Sequence, residues 1–313
     1  MNCSLNQVYA VAELTKQGFC QLRHRQSVFD ARIQVLLAEV DLLREEHPGC
    51  GLEKMYDTLK PEFIGRDRFI ALFMDLGYRV RKYKNYHRTT YSSNRYYPNL
   101  IKGLLVNGPS QVWQSDITYI RIRERFYYAV FILDVYTRKI VGYQVSDHMR
   151  ATANVIALKM AFKDHNPPLI HHSDRGSQYV YEEYTNQLSS ENCKISMGLT
   201  AQDNAYAERI NQTIKNEYLR YWMPSTIEEL KVDVKRAVNH YNTKRIHKKL
   251  QKMTPSKFEE KWSTYSVQSR PVLNIFNNEI QLKTGQPISG IDNTSLFFNQ
   301  RSSLGKYQVA SSK

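Results

Sequence analysis

Three consecutive stretches decide the fold: residues 112–122, VWQSDITYIRI; residues 125–136, RFYYAVFILDVY; and residues 139–147, KIVGYQVSD. Each is rich in β-branched and aromatic residues, and short polar turns separate them. That pattern predicts three successive β-strands. Further along, PPLIHHSD (167–174) predicts a fourth strand and CKISM (193–197) a short fifth. Between and after them the apolar spacing becomes helical. ATANVIALKMAFKDH, SQYVYEEYTNQLSSEN, NAYAERINQTIKNEYLR and TIEELKVDVKRAVNHYNTKR each predict a helix, with Asp147 placed to cap the first. The order βββαβαβα predicts an α/β fold: a ribonuclease H-like mixed five-stranded sheet with helices on its faces.

Upstream, the pattern is all-helical. LNQVYAVAELTKQGF is broken or bent at Gly18. The next helix carries a core-facing stripe of Val28, Ile33, Leu36, Leu37, Val40 and Leu43, and His47–Pro48–Gly49 stops it. LEKMYDTL and RDRFIALFMDLGYRV follow. In the latter, Asp67 is a candidate N-cap, Phe69, Ile70, Phe73 and Leu76 form the apolar face, and Gly77 is the stop. Two short helices joined by a tight turn suit a helix-turn-helix DNA reader, and equally any small helical domain. These boundaries give a helical DNA-binding region at 1–90, a basic Tyr-rich linker at 91–108, a catalytic domain at 109–262 and a polar tail at 263–313.

The 313 residues carry a formal net charge of +14. Residues 1–102 hold 16 Lys/Arg against 11 Asp/Glu, residues 103–230 hold 13 against 14, and residues 231–313 hold 15 against 5. A neutral centre with basic flanks suits a nucleic-acid enzyme, in which cations neutralise phosphate and a few carboxylates hold metal. Residues 76–115 contain no acid, and their cations, Arg81, Lys82 and Lys84 among them, alternate with six tyrosines. Such a segment can follow a phosphate backbone while its rings stack on bases. The four cysteines form no CxxC, which points to reduced thiols in a cytoplasmic protein and away from structural zinc. No stretch has the apolar length of a membrane span, and the first residues lack the pattern of a signal peptide. No GxxxxGK[ST] is present, so no nucleotide fuel is expected through a P-loop.

Three acids stand out by position: Asp116 inside the first strand, Asp174 ending the fourth, and Glu208 on a helix. A carboxylate within an apolar strand is costly unless something offsets its desolvation. In a ribonuclease H-like sheet the first and fourth strands are neighbours, so Asp116 and Asp174 would lie side by side, with the Glu208 helix packed on the same face. Three clustered carboxylates require cations. Two Mg²⁺ ions, with Mn²⁺ able to substitute, are the usual solution for phosphoryl transfer and suit an all-oxygen ligand set.

WQSDITYI, ILDVYTRKIVGY, HHSDRGSQY, DNAYAERINQTIKNEYL and YNTKRIHKKLQKMTPSKF, in this order, resemble the catalytic (OrfB-type) subunit of the insertion-sequence-three family of bacterial transposases, relatives of retroviral integrases. The resemblance runs from about residue 47 to residue 262. It implies a DDE DNA recombinase with Asp116, Asp174 and Glu208 as catalytic and metal-binding triad. It also implies cleavage at insertion-sequence ends, strand transfer to target DNA, passage through circular DNA intermediates, and a bacterial, nucleoid-associated location. A homo-oligomer on DNA and an upstream helix-turn-helix partner protein are further implications. The Asp174–Glu208 interval is two residues shorter than is usual in the family, which leaves Asp203 and Glu217 as rivals for the third acid. Asp203 is better placed as the helix N-cap, and Glu217 lies on another face.

Helical spacing puts Asn204, Asn211 and Lys215 on the face of Glu208. By the resemblance that face meets the DNA end, with Lys215 on a phosphate. Arg175, Gln178 and Arg209 are further candidate DNA contacts, and the run Lys244, Arg245, Lys248, Lys249 is a candidate backbone-binding surface. Strand alternation places His172 on the side of Asp174 as a candidate orienter of that acid, and His171 on the other. A ribonuclease H-like nuclease or resolvase without strand transfer is the alternative; it would favour a fourth carboxylate, for which Asp134 is the candidate. A catalytically inactive DNA-binding remnant is the other.

Overall fold

A computed structural model describes residues 9, 11, 15–80, 96–275 and 279–281. Contacts divide the chain into two compact units, Met1–Arg81 and Lys82–Lys313.

The first unit is built on α1 (Lys16–Glu46), α2 (Leu52–Leu59) and α3 (Arg66–Asp75). Thr15 caps α1 by accepting the Gly18 amide, so Gly18 lies in the first turn and does not break the helix. Ile33, Leu36 and Val40 pack with Met55, Ile64, Phe69 and Phe73 as the core. Val28 is excluded from that core and stands 42% exposed. The N-cap of α3 is Gly65, not Asp67, whose carboxylate instead pairs with Arg66. At the far end Gly77 has φ of +87°, and the Tyr78 amide reaches back to the Phe73 carbonyl, the left-handed stop that glycine permits. Leu76 remains exposed beside it. Arg44 donates to the carbonyls of Pro48, Cys50 and Tyr78, so one guanidinium ties the end of α1 to both following helices.

The second unit holds the mixed five-stranded sheet. Its strands are β2 (Val112–Ile122), β3 (Arg125–Asp134), β4 (Ile140–Ser146), β5 (Ile170–Ser173) and β6 (Lys194–Met197), in the spatial order β4-β3-β2-β5-β6. The first three pair antiparallel, and β5 and β6 join parallel. One face is covered by α4 (Ala151–Asp164) and α5 (Glu182–Ser190), around Trp113, Val130, Ile132, Leu158 and Tyr184. A Cβ at Gly142 would collide with the Ala157 carbonyl, so α4 lies directly on β4. The cap of α4 is Arg150, so Asp147 does not serve there; it faces Arg125 at 3.6 Å. The other face carries α6 (Ala205–Ile214), which runs on through a π-helical turn (Lys215–Leu219) into Arg220–Trp222, and α7 (Ile227–Thr243). Ile120, Ile122, Phe131, Ile210, Ile214, Leu230 and Val234 fill this second interface.

A second, smaller sheet forms from short strand-like segments that carry no clear periodicity. β1 (Leu105–Val106) pairs antiparallel with β7 (Val272–Asn274), which pairs with β8 (Glu279–Gln281). The start of the expected tail is therefore folded, with Leu273 fully buried. The described part of the expected linker is folded too. Ile101 and Val106 are buried, and the Leu100 amide donates to Ser196 Oγ at 2.8 Å. α8 (Pro255–Thr264) completes this third cluster through Phe258, and Trp262 Nε1 donates to the Asn107 carbonyl. Apolar residues spaced too irregularly for a periodic pattern still found partners across more than 150 residues of sequence. Among the described residues no helix is long and apolar enough to cross a membrane.

Candidate active site

The site begins with register. β2 and β5 pair in parallel with Ser115 opposite Ser173. One residue further along stand Asp116, inside β2, and Asp174, just past the end of β5. Pleating sends alternate side chains to opposite faces. Ser115 meets Tyr179 on the α4–α5 side, where the two hydroxyls lie 3.1 Å apart, while Gln114 and Asp116 face α6.

Two side chains then fasten α6 over this face. Gln114 is completely buried in β2. Its Oε1 accepts the amides of Tyr206 and Ala207 at 3.2 and 3.4 Å, and its Nε2 donates to the Asp203 carbonyl at 3.2 Å. One amide side chain thus satisfies free N–H groups at the start of α6, a task usually left to an N-cap residue. Asn204 adds a bond from Nδ2 to the Ser115 carbonyl at 2.9 Å. The first turn of α6, which carries Glu208, is held to the strand that carries Asp116. Asn211, one turn further on, donates from Nδ2 to Asp116 Oδ2 at 2.8 Å.

The electrostatics show that the three acids share one field. Burial, then Asp174 and Glu208, push the Asp116 carboxyl up to about 8, against the opposing bonds from Ile117 and Asn211. Asp174 is raised by burial and partly relieved by the Gly176 amide at 3.0 Å. Glu208 is raised by burial and by Asp174. Lys215 is pulled down by burial and held up by Asp116. Among the described residues no three Asp, Glu, His or Cys side chains converge closely enough to hold an ion as they stand. The donor set nonetheless fits a hard divalent cation: all oxygen, mutually repelling, and raised above the ordinary carboxylate range for want of a countercharge.

The rivals for the third acid are engaged elsewhere. Partial burial raises the Asp203 carboxyl, but the Thr200 and Leu199 amides outweigh this and hold it low; its Oδ2 also accepts the Thr200 hydroxyl. It closes the loop before α6 and does not cap that helix. Glu217 is locked in a bidentate pair with Arg245, both contacts 2.8 Å. Asp134 is buried and accepts from Ser110 N, Thr137 N and Thr137 Oγ1 at 2.6–2.8 Å, so it serves the β3–β4 turn. It sits opposite Trp113, whose side chain belongs to the other face, and it adds no fourth carboxylate.

Several of the candidate DNA contacts make bonds inside the protein. The Arg245 side chain is only 10% exposed in its pair with Glu217, which removes it from the basic surface. Asn204 and Asn211 each donate from Nδ2, to the Ser115 carbonyl and to Asp116, while the Oδ1 of both is buried without a partner. Gln178 is buried and donates to the Met149 carbonyl. His172 is buried and neutral, pushed down to about 4 by burial; its Nδ1 lies 2.8 Å from Ser196 Oγ, which tethers β5 to β6 and does not orient Asp174. His171, pushed down to about 3 by burial, meets the Tyr184 hydroxyl at 2.9 Å on the opposite face. Arg175 lies with its guanidinium 4.4 Å from the Tyr96 ring centroid. Arg209, Lys244, Lys248 and Lys249 are exposed. Arg81, Lys82 and Lys84 lie outside the described residues. Gln114 was missed, although a signal existed: a polar residue two before Asp116 in an apolar strand must share its face.

Models of the integrase core domain match residues 106–202 and 190–255. The uncharacterized 31 kDa protein of insertion element IS600 from Shigella sonnei is 34% identical over 207 residues, covering 64% of this chain and 76% of its own length. The transposase for insertion sequence element IS904 of Lactococcus lactis is 35% identical over 185 residues, covering 57% and 72%. Among solved structures, the magnesium-complexed catalytic core of HTLV-2 integrase is 18% identical with a TM-score of 0.42, covering 49% of this chain and 97% of that one.

Proposed function

Because the chain belongs to the insertion-sequence transposases with an integrase core domain, we propose that Asp116, Asp174 and Glu208 are its catalytic carboxylates and that they hold two Mg²⁺ ions, or Mn²⁺ in their place, at the end of the mobile element. The protein is a DDE polynucleotidyl transferase, a DNA transposase that uses divalent metal and acts on DNA by strand cleavage and strand transfer. The observation that supports the assignment is that Asp116, one residue past the last β2–β5 pair, and Asp174, just beyond the end of β5, act on each other electrostatically, with the helix of Glu208 fastened over the same face by Gln114 and Asn204.

Divalent cations bound there supply Lewis-acid activation of the attacking oxygen and stabilise the departing one. The chain's own residues provide the rest. Asn211 fixes the rotamer of Asp116, and the Gly176 amide fixes that of Asp174. Glu208, only partly buried on a fixed helix, has the side-chain freedom to close the triad. Lys215 contacts a phosphate beside the cleaved bond, where its charge already acts on Asp116. Arg175, Arg209, Lys244, Lys248 and Lys249 bind the DNA backbone. The protein works as a homo-oligomer on paired element ends in the bacterial cytoplasm, with an upstream helix-turn-helix partner for end recognition.

The test is incubation of the protein with candidate element ends, target DNA and Mg²⁺, with Glu208→Gln in parallel. Joined products from wild type alone support the reading. Cleavage without joining indicates the nuclease alternative. Unimpaired joining by Glu208→Gln removes Glu208 from the site.

A further inference from the structure

The first unit carries a second apolar stripe that its own core does not use. On α1, Val28, Val35 and Leu42 are 42%, 64% and 64% exposed, and Ala31 and Ala38 between them are exposed too. Their spacing, 3-4-3-4, is the heptad spacing of a helix–helix seam. The buried residues Ile33, Leu36 and Val40 fall on the other side of the helix. In heptad terms Val28, Val35 and Leu42 take the a positions and the two alanines take d. Small d residues let two helix backbones approach closely.

We propose that this stripe is a self-association surface, and that two copies of the chain pair antiparallel along their α1 helices. The charges flanking the stripe select both partner and direction. The e positions are Arg25, Arg32, Glu39 and Glu46 in chain order, two cations followed by two anions. Antiparallel pairing sets e against e, so Arg32 meets Glu39 of the second copy, twice by symmetry. Parallel pairing would set e against g, where Ser27, Gln34 and Asp41 offer no opposite charge, and would place Asp41 near Glu46 of the other copy. The stripe covers only two heptads, too little for isolated peptides to pair stably. Here α1 is already folded against its own core, so association spends no ordering entropy on the helix.

The inference goes beyond the catalytic assignment and is measured without DNA or metal. Sedimentation velocity of the full chain across a micromolar concentration series gives the monomer–dimer constant. Val35→Asp with Leu42→Asp is expected to weaken it by about tenfold or more. Arg32→Glu alone is expected to weaken it about three- to tenfold, and Arg32→Glu combined with Glu39→Arg to restore it. Unchanged far-UV circular dichroism and melting would show that the variants remain folded; all substituted side chains are on the surface. A wild-type chain that stays monomeric, seam variants that associate like wild type, or a charge swap that fails to restore association would each overturn the proposal.

Discussion

Asn211 and Asp116 are joined by a 2.8 Å hydrogen bond from Nδ2 to Oδ2, across 95 residues of sequence. The bond links the helix of Glu208 to the strand of Asp116. Asn211→Ala is expected to lower the rate of end cleavage about tenfold, with end-binding affinity within about twofold of wild type, because the lost contact positions a carboxylate and does not hold DNA. Single-turnover cleavage and a binding isotherm on the same variant separate the two. A parallel loss of affinity would mean that Asn211 touches DNA directly.

Asp116 is pushed up to about 8 by burial and by its acidic neighbours. A carboxyl raised in the folded state binds more protons there than in the unfolded chain, so stability is greatest below the unfolded value and falls as pH rises toward 8. In chelator, the melting temperature is therefore expected to fall by several degrees between pH 5 and pH 8, more than for Asp116→Asn. Millimolar Mg²⁺ should recover most of that loss at pH 8 in wild type and little of it in Asp116→Asn. A wild-type melting temperature that rose over this range in chelator would contradict the assigned burial.

Gln114 serves three partners at the start of α6. Gln114→Leu keeps the volume but strands two amides and a carbonyl in a dry interface. The expected cost is about 1–3 kcal/mol of stability by urea denaturation. Catalysis is expected to fall further than that loss explains, because Glu208 then sits on a loosened helix. Full activity in a destabilised variant would show that the clamp is structural only.

The basic run after α7 separates into two kinds of residue. Arg245→Ala removes the bidentate partner of the half-buried Glu217 and is expected to destabilise the protein by about 1–3 kcal/mol, with Arg245→Lys rescuing little, since the bidentate fork is lost. Lys249→Ala is expected to leave the melting temperature within about 2 °C, to weaken DNA binding, and to reduce the salt dependence of that binding by about one charge. Denaturation melts and binding measured from low to moderate salt check both halves.

Much of the fold was legible because its cause is local. Strand and helix stretches announce themselves by the period of their apolar residues, and the order βββαβαβα leaves few ways to build a sheet. The acids were visible for the same reason: Asp116 interrupts an apolar strand, and Asp174 ends one. The sequence by itself thus determined the order of the strands along the chain, the candidate acids and the family resemblance. What only the tertiary structure decided was how the other polar groups are spent. Whether Arg245 faces solvent or Glu217, whether Asn211 faces DNA or Asp116, and whether Asp134 joins the acids or closes a turn all depend on partners brought in from distant elements. The same holds for Leu273, which finds its strand beside Val106. Periodicity tells which side of an element is buried, but a hydrogen bond is formed by whatever the packed chain delivers within about 3 Å, and that is a property of the whole fold.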